Sequence, residues 1–374
     1  MRPATKVGLL CGLGLAAVGR AGAGDPVPLG ASTCSSSGCH GGAGERSDQY
    51  SIWSQRDVHS RSYATLTTAR AARMSEALAI ADPATSPRCV VCHAPLAEVA
   101  PSLLGAGVEP TEGVSCVSCH DLPARWLRGH TRKDWTHEDR VAAGMRDLDD
   151  LYTRANTCVA CHQNIDPALV NVGRHPALIF ELDGQTQDEP KHWRERAADT
   201  GAQAWYVGQA VALREVSWAL LNGRADTARA AAVWQSLAWL LARGGLDYGQ
   251  PPLDQAAPSP AALASAVEAA DLLAKRAAQK WDPRNAAIVL RRLAATHGDF
   301  LSPDVAQLTQ ACRAERLVLS LDRLLDAVPP AQRPPGATER LDRLFHLAQS
   351  QPDFAPAEFA RELEGFDRTL GGGG

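Results

Sequence analysis

The sequence predicts an all-α protein in two parts: a first half with little regular structure, wrapped around bound groups, then a helical bundle. Three observations carry this. Four Cys–Cys–His motifs are confined to the stretch between Cys34 and His162. From about Trp205 an Ala- and Leu-rich helical periodicity takes over, and no extended alternating β pattern occurs anywhere.

The motifs are Cys34-Ser35-Ser36-Ser37-Gly38-Cys39-His40, Cys89-Val90-Val91-Cys92-His93, Cys116-Val117-Ser118-Cys119-His120 and Cys158-Val159-Ala160-Cys161-His162. Two thiols followed at once by histidine is the spacing for covalent haem c. The sulfurs add to the porphyrin vinyl groups and the adjacent imidazole ligates the iron. Structural zinc also uses paired cysteines and histidines but has no need of His directly after the second Cys, so the repetition points to four covalent haems. The first would attach through a CxxxxCH motif whose small spacer residues let the longer loop pucker.

Four macrocycles in so short a stretch leave little room for a conventional core. The haems themselves are expected to be the core, and removing them to unfold this half.

At the N-terminus Arg2 and Lys6 precede an apolar run from Val7 to Val18 and the small residues Ala21-Gly22-Ala23. This predicts a signal peptide over residues 1–23 and a soluble periplasmic protein. Cys11 lies inside that run and reads as a signal residue rather than a lipid anchor. Eight of the ten cysteines are assigned to haem. That leaves Cys312, expected to pack as a small apolar residue on a helix. No later apolar run reaches the roughly twenty residues needed to cross a bilayer. A net charge of -4 with pI near 6.3 gives no basic footprint for nucleic acid.

A tetrahaem domain is expected over residues 24–200, a helical domain over 201–330, and short helices with a disordered glycine tail over 331–374. Helices are expected near 206–222, 225–243, 260–281, 283–297, 302–327, 337–351 and 356–369. Ser259-Pro260, Asp282-Pro283 and Ser302-Pro303 each put a capping side chain before a proline suited to the first helical position. Trp218, Trp234 and Trp239 fall at helical spacing and are expected in the core rather than on an electron path.

Beyond the four motif histidines, seven others could supply second axial ligands: His59, His130, His137, His175, His192, His297 and His346. After signal removal only Met74 and Met145 remain as methionines, so bis-histidine ligation is expected for most haems, and with it low potentials.

The first half resembles the cytochrome c-554 family of multihaem cytochromes. The likeness lies in Trp53-Ser54 through His59, Gly113-Val114-Ser115-Cys116, Arg128-Gly129-His130 and the fourth motif. Gly173-Arg174-His175-Pro176 through Phe180-Glu181, then His192-Trp193, are similar to stretches of larger multihaem relatives. It covers roughly residues 30–195.

The resemblance implies that His130 serves the first haem (His40), His59 the third (His120), and His175 or His192 the fourth (His162). It also implies that the second haem, at His93, can lack a protein sixth ligand. His137 matches no ligand position, and His297 and His346, far along the helical half, read as structural or solvent-facing.

The function expected is electron transfer between periplasmic or membrane-associated redox proteins, with no catalytic residue required. The alternative is a haem oxidoreductase acting on a small nitrogen or sulfur species at an open iron on His93. The chain has no CxxCK motif, which weighs against a nitrite reductase-like site. The helical half could dock the haem domain to a partner.

Overall fold

Short polar side chains and prolines set the helix starts. The computed structural model describes residues 27–371 except 106, 124, 196–199, 226, 255–256 and 351–352. The expected signal peptide, Cys11 and Gly372–Gly374 lie outside the described residues.

The first half holds short helices: α1 (Gln49–Arg56), α2 (Ser62–Leu66), α3 (Ala69–Ala77), α4 (Pro87–His93), α5 (Cys116–His120), α6 (His137–Ala142), α7 (Leu151–His162), α8 (Pro167–Asn171) and α9 (Leu182–Asp188). Long helices follow: α10 (Thr200–Leu221), α11 (Thr227–Gly244), α12 (Pro260–Gln279), α13 (Arg284–Ala294), α14 (Gln307–Asp326), α15 (Ala337–Ala348) and α16 (Pro356–Gly371). No strand occurs among the described residues.

Of the three proline-marked starts one forms as its chemistry dictates, and at the second Pro283 is itself the N-cap of α13, which begins at Arg284. Ser259 caps α12 by accepting from the Ala262 N–H, with Pro260 in the first turn. Asp282 accepts from the Arg284 N–H just ahead of α13.

The expected helix start at Ser302-Pro303 is not formed. Residues 295–301 continue α13 as a 3-10 segment, residues 303–304 turn, and α14 begins at Gln307. The side chains of Gln307 and Gln310 hold this start by donating to the carbonyls of Phe354 and Asp299. Gly371, expected in a disordered tail, is the last residue of α16.

One apolar cluster runs from Leu151 on α7 to Phe366 on α16. Trp205, Trp234 and Trp239 are fully buried in it, Trp218 is half-buried, and Cys312 is buried on α14. In α7, Leu151, Ala155 and Val159 recur every four residues, so one stripe enters this core. The buried Arg214 of α10 fastens the contact, donating to Tyr152 Oη, Asn156 Oδ1 and Asp271 Oδ1. The core therefore does not stop near residue 200, because the helix carrying the fourth motif belongs to it.

Among the described residues, the rest of the first half has a buried apolar cluster of only Leu66, Val90 and Ala94. Side-chain burial alone is too small here to hold about a hundred residues together.

Candidate functional site

Three motifs end short helices. In α4, α5 and α7 the histidine closes the helix four residues after the first cysteine, so both thiols and the ring come from one or two turns. The first motif has no such helix. Its 3-10 turn ends at Cys34, the spacer loops out, and the His40 N–H returns to the Cys34 carbonyl at 3.1 Å. That is the carbonyl-to-amide closure an ordinary helical motif makes between its first Cys and its His. Gly41 permits it, since a Cβ there would lie 1.8 Å from the Ser35 carbonyl oxygen.

Distal histidines are fixed by local devices. His59 sits in a 3-10 turn, Val58–Arg61, capped by Asp57. The same loop receives the third motif: Val114 N–H donates to the His59 carbonyl, and Gly113, at φ +80°, leaves no room for a side chain beside it. The His130 N–H donates to the Trp126 carbonyl, and the Trp126 ring meets the imidazole edge-on at 5.4 Å.

His175 follows Arg174, whose φ of +62° is unusual for a side-chain-bearing residue. It is tied back by its N–H to the Leu169 carbonyl. His192 is held through its neighbours, because Glu195 accepts from both Trp193 Nε1 and the buried Arg154 of α7.

These devices bring imidazoles together in pairs. His40 and His130 have ring centroids 6.1 Å apart with planes at 14°. His59 and His162 stand at 6.1 Å and 80°, and His93 and His175 at 6.4 Å and 68°. Two imidazoles bound end-on to one ion, each about 2 Å from it, would have centroids about 6.3 Å apart. All three separations fit an iron between the rings.

In all six rings Nδ1 faces a protein partner, which leaves Nε2 as the ligand atom. The partners are Gln49 Oε1 for His40, Asp57 Oδ1 for His59, and the Ser62 carbonyl with Thr65 Oγ1 for His93. The Leu127 carbonyl serves His130 and the Pro176 carbonyl serves His175. Gln185 faces His162 through its amide, whose oxygen is otherwise unpartnered, so a half-turn makes it the acceptor.

His120 has no stacked imidazole among the described residues. Burial, with neighbouring His192 and His40, pushes it down to about 4, and burial also lowers His93, His162 and His192. Neutral rings suit metal ligation. His59 moves upward because Asp57 hydrogen-bonds its ring. Nδ1 of His192 is buried without a partner.

The thiols also cluster by motif. Cys34 interacts with Cys116, and Cys92 with Cys161, which sets the first motif beside the third and the second beside the fourth.

His130 thus stands opposite His40, as the resemblance implies. The other ring contacts are not between the residues that the resemblance pairs. His59 faces His162 rather than His120, because its turn is locked by Asp57 with the ring directed towards the end of α7. His175 faces His93 rather than His162, because the chain after α8 folds back on Leu169. His137 bonds Asp147, while His297 and His346 lie in the helical half. The Nδ1 partners Gln49, Thr65 and Gln185 carried no sequence signal. Asp57 did, two residues before His59.

The fold and these sites define a class: an all-α protein with cysteine pairs and facing histidines arranged to hold haem c. Residues 33–121 match the family model described as cytochrome c554 and c-prime. This supports a cytochrome c with covalently bound haem working in electron transfer. The match takes in the first three motifs and His59 and ends at Asp121, short of the fourth motif. No curated protein and no solved structure matches the chain significantly. No helix among the described residues is long and apolar enough to cross a membrane.

Proposed function

We propose that the chain is a periplasmic tetrahaem electron carrier in which each haem has two histidine ligands: His40 with His130, His93 with His175, His162 with His59, and His120 with His192. The observation that carries this is the set of three imidazole pairs at 6.1–6.4 Å, each joining a motif histidine to a distal one. The last pair follows from what remains, His192 being the charge neighbour that most lowers His120. When bound, the haems supply irons that cycle between ferric and ferrous states.

The chain's own residues hold the rings. Nδ1 partners orient them, α7 braces the fourth motif and the His192 segment, and the helical core keeps α7 fixed. Adjacency of the first with the third motif, and of the second with the fourth, suits a relay between periplasmic or membrane-associated redox partners.

The test is intact mass together with electron paramagnetic resonance of the oxidised protein. Four haems, all low-spin, is the expected result; fewer haems, or any high-spin iron, overturns it.

A second reading, a haem oxidoreductase acting on a small nitrogen or sulfur species, needs an open iron. His175 opposite His93 weighs against placing it there. The lack of a stacked partner moves it to His120. Carbon monoxide binding to the native reduced protein would support that reading, and its absence would remove it.

A further inference from the structure

We propose that Asp57 is a positioning residue that gives the His59 ligand anionic character and makes the haem between His59 and His162 the lowest in potential of the four. This rests on the axial pairing proposed above. Asp57 is only 2% exposed. Its Oδ1 accepts from His59 Nδ1 at 3.0 Å and from the His59 backbone N–H at 2.8 Å. Because the same oxygen caps the turn, the carboxylate cannot swing away without unwinding the segment that presents the ligand.

The other facing rings have neutral partners at Nδ1: the Gln49 and Gln185 amides, the Thr65 hydroxyl and the carbonyls of Ser62, Leu127 and Pro176. Glu189 adds a second carboxyl, with its ligand atom and those of Asp57 and His59 all within 4.8 Å of one another. A carboxylate on the outer nitrogen of a ligating histidine raises the ligand's basicity and favours the higher metal charge. At an iron held by His59 this would favour the ferric form, so Asp57 would set that haem as the one that keeps an electron least.

The experiment uses the full-length, haem-loaded protein. Asp57→Asn and Asp57→Ser both keep a capping oxygen but lose the charge. Potentiometric titration should show the lowest of four midpoints shifted upward and the other three unmoved, with all haems still low-spin. Asp57→Glu should restore it in part. Four unchanged midpoints overturn the proposal.

His59→Ala gives an independent check should the Asp57 variants lose haem. The low-spin component it removes should be the one that titrates lowest in the parent protein, and loss of any other overturns the role of Asp57. If His59→Ala leaves four low-spin haems, the axial pairing itself has failed, a different outcome from an inert Asp57.

Discussion

The imidazole planes of His40 and His130 lie within 14° of parallel, whereas those of His59 and His162 are crossed at 80°. Parallel imidazoles donate into the same iron dπ orbital and split the dπ pair, while crossed rings leave the two nearly degenerate. The first haem should therefore give an ordinary rhombic low-spin signal. The His59/His162 and His93/His175 haems, the latter crossed at 68°, should give strongly anisotropic ones. In His130→Ala the rhombic signal should be the one lost; its survival would refute the pairing.

His175 and His192 serve different irons in the proposed arrangement. The resemblance to multihaem relatives makes them rivals for one iron, His162. The double variant His175→Ala/His192→Ala separates these. The double variant should gain two high-spin haems per chain over the parent if both ligate, and only one if they compete, as counted by spin quantitation of the oxidised proteins.

The first motif depends on the closure of its loop. In Gly41→Ala the new Cβ would stand 1.8 Å from the Ser35 carbonyl oxygen, whereas a Cβ at Gly38 would meet nothing within 4 Å. Mass spectrometry should find three haems in Gly41→Ala and four in Gly38→Ala. Equal loading of the two variants would show that the closure does not govern attachment.

The all-α class and the long helices were legible because periodicity and capping are local. Ser259-Pro260 marks the start of α12 for that reason. Ser302-Pro303 misled because serine before proline fits a turn as well as a helix start, and distant carbonyls at Phe354 and Asp299 decide between them. The motifs are visible from spacing alone. The pairing of distal rings is not: His59 meets His162, and His175 meets His93, through chain reversals fixed by a capped turn and a left-handed Arg174.

Without haem the two halves should part company. The buried cluster of Leu66, Val90 and Ala94 is too small to hold the first half, while α7 shares the large core with the helical half. Chain produced without haem attachment should retain most of its helical circular dichroism. Limited trypsin digestion should yield a protected fragment beginning ahead of α7. Protection of the first three motifs equal to that in the haem-loaded protein would show that side chains alone suffice.

Glu181 makes the stability of this core fall with rising pH. It is 7% exposed, and burial pushes its carboxyl up to about 7 from the ordinary 4.5, with the Gly184 N–H pulling the other way and Asp183 adding to the rise. The folded chain therefore holds a proton there between pH 4.5 and 7 that the unfolded chain has released. Stability is lost as pH climbs through this window, with the full penalty present above it. The cost is roughly 3 kcal/mol, at about 1.4 kcal/mol per tenfold change in the proton equilibrium. Burial raises Asp183 as well, in the same sense. Glu181→Gln can still accept from the Gly184 N–H, so thermal unfolding followed by circular dichroism should show a smaller loss between pH 5 and pH 8 than in the parent. An unchanged slope would mean that Arg316 and Arg323, the cations nearest the carboxyl, keep Glu181 ionised in the folded core.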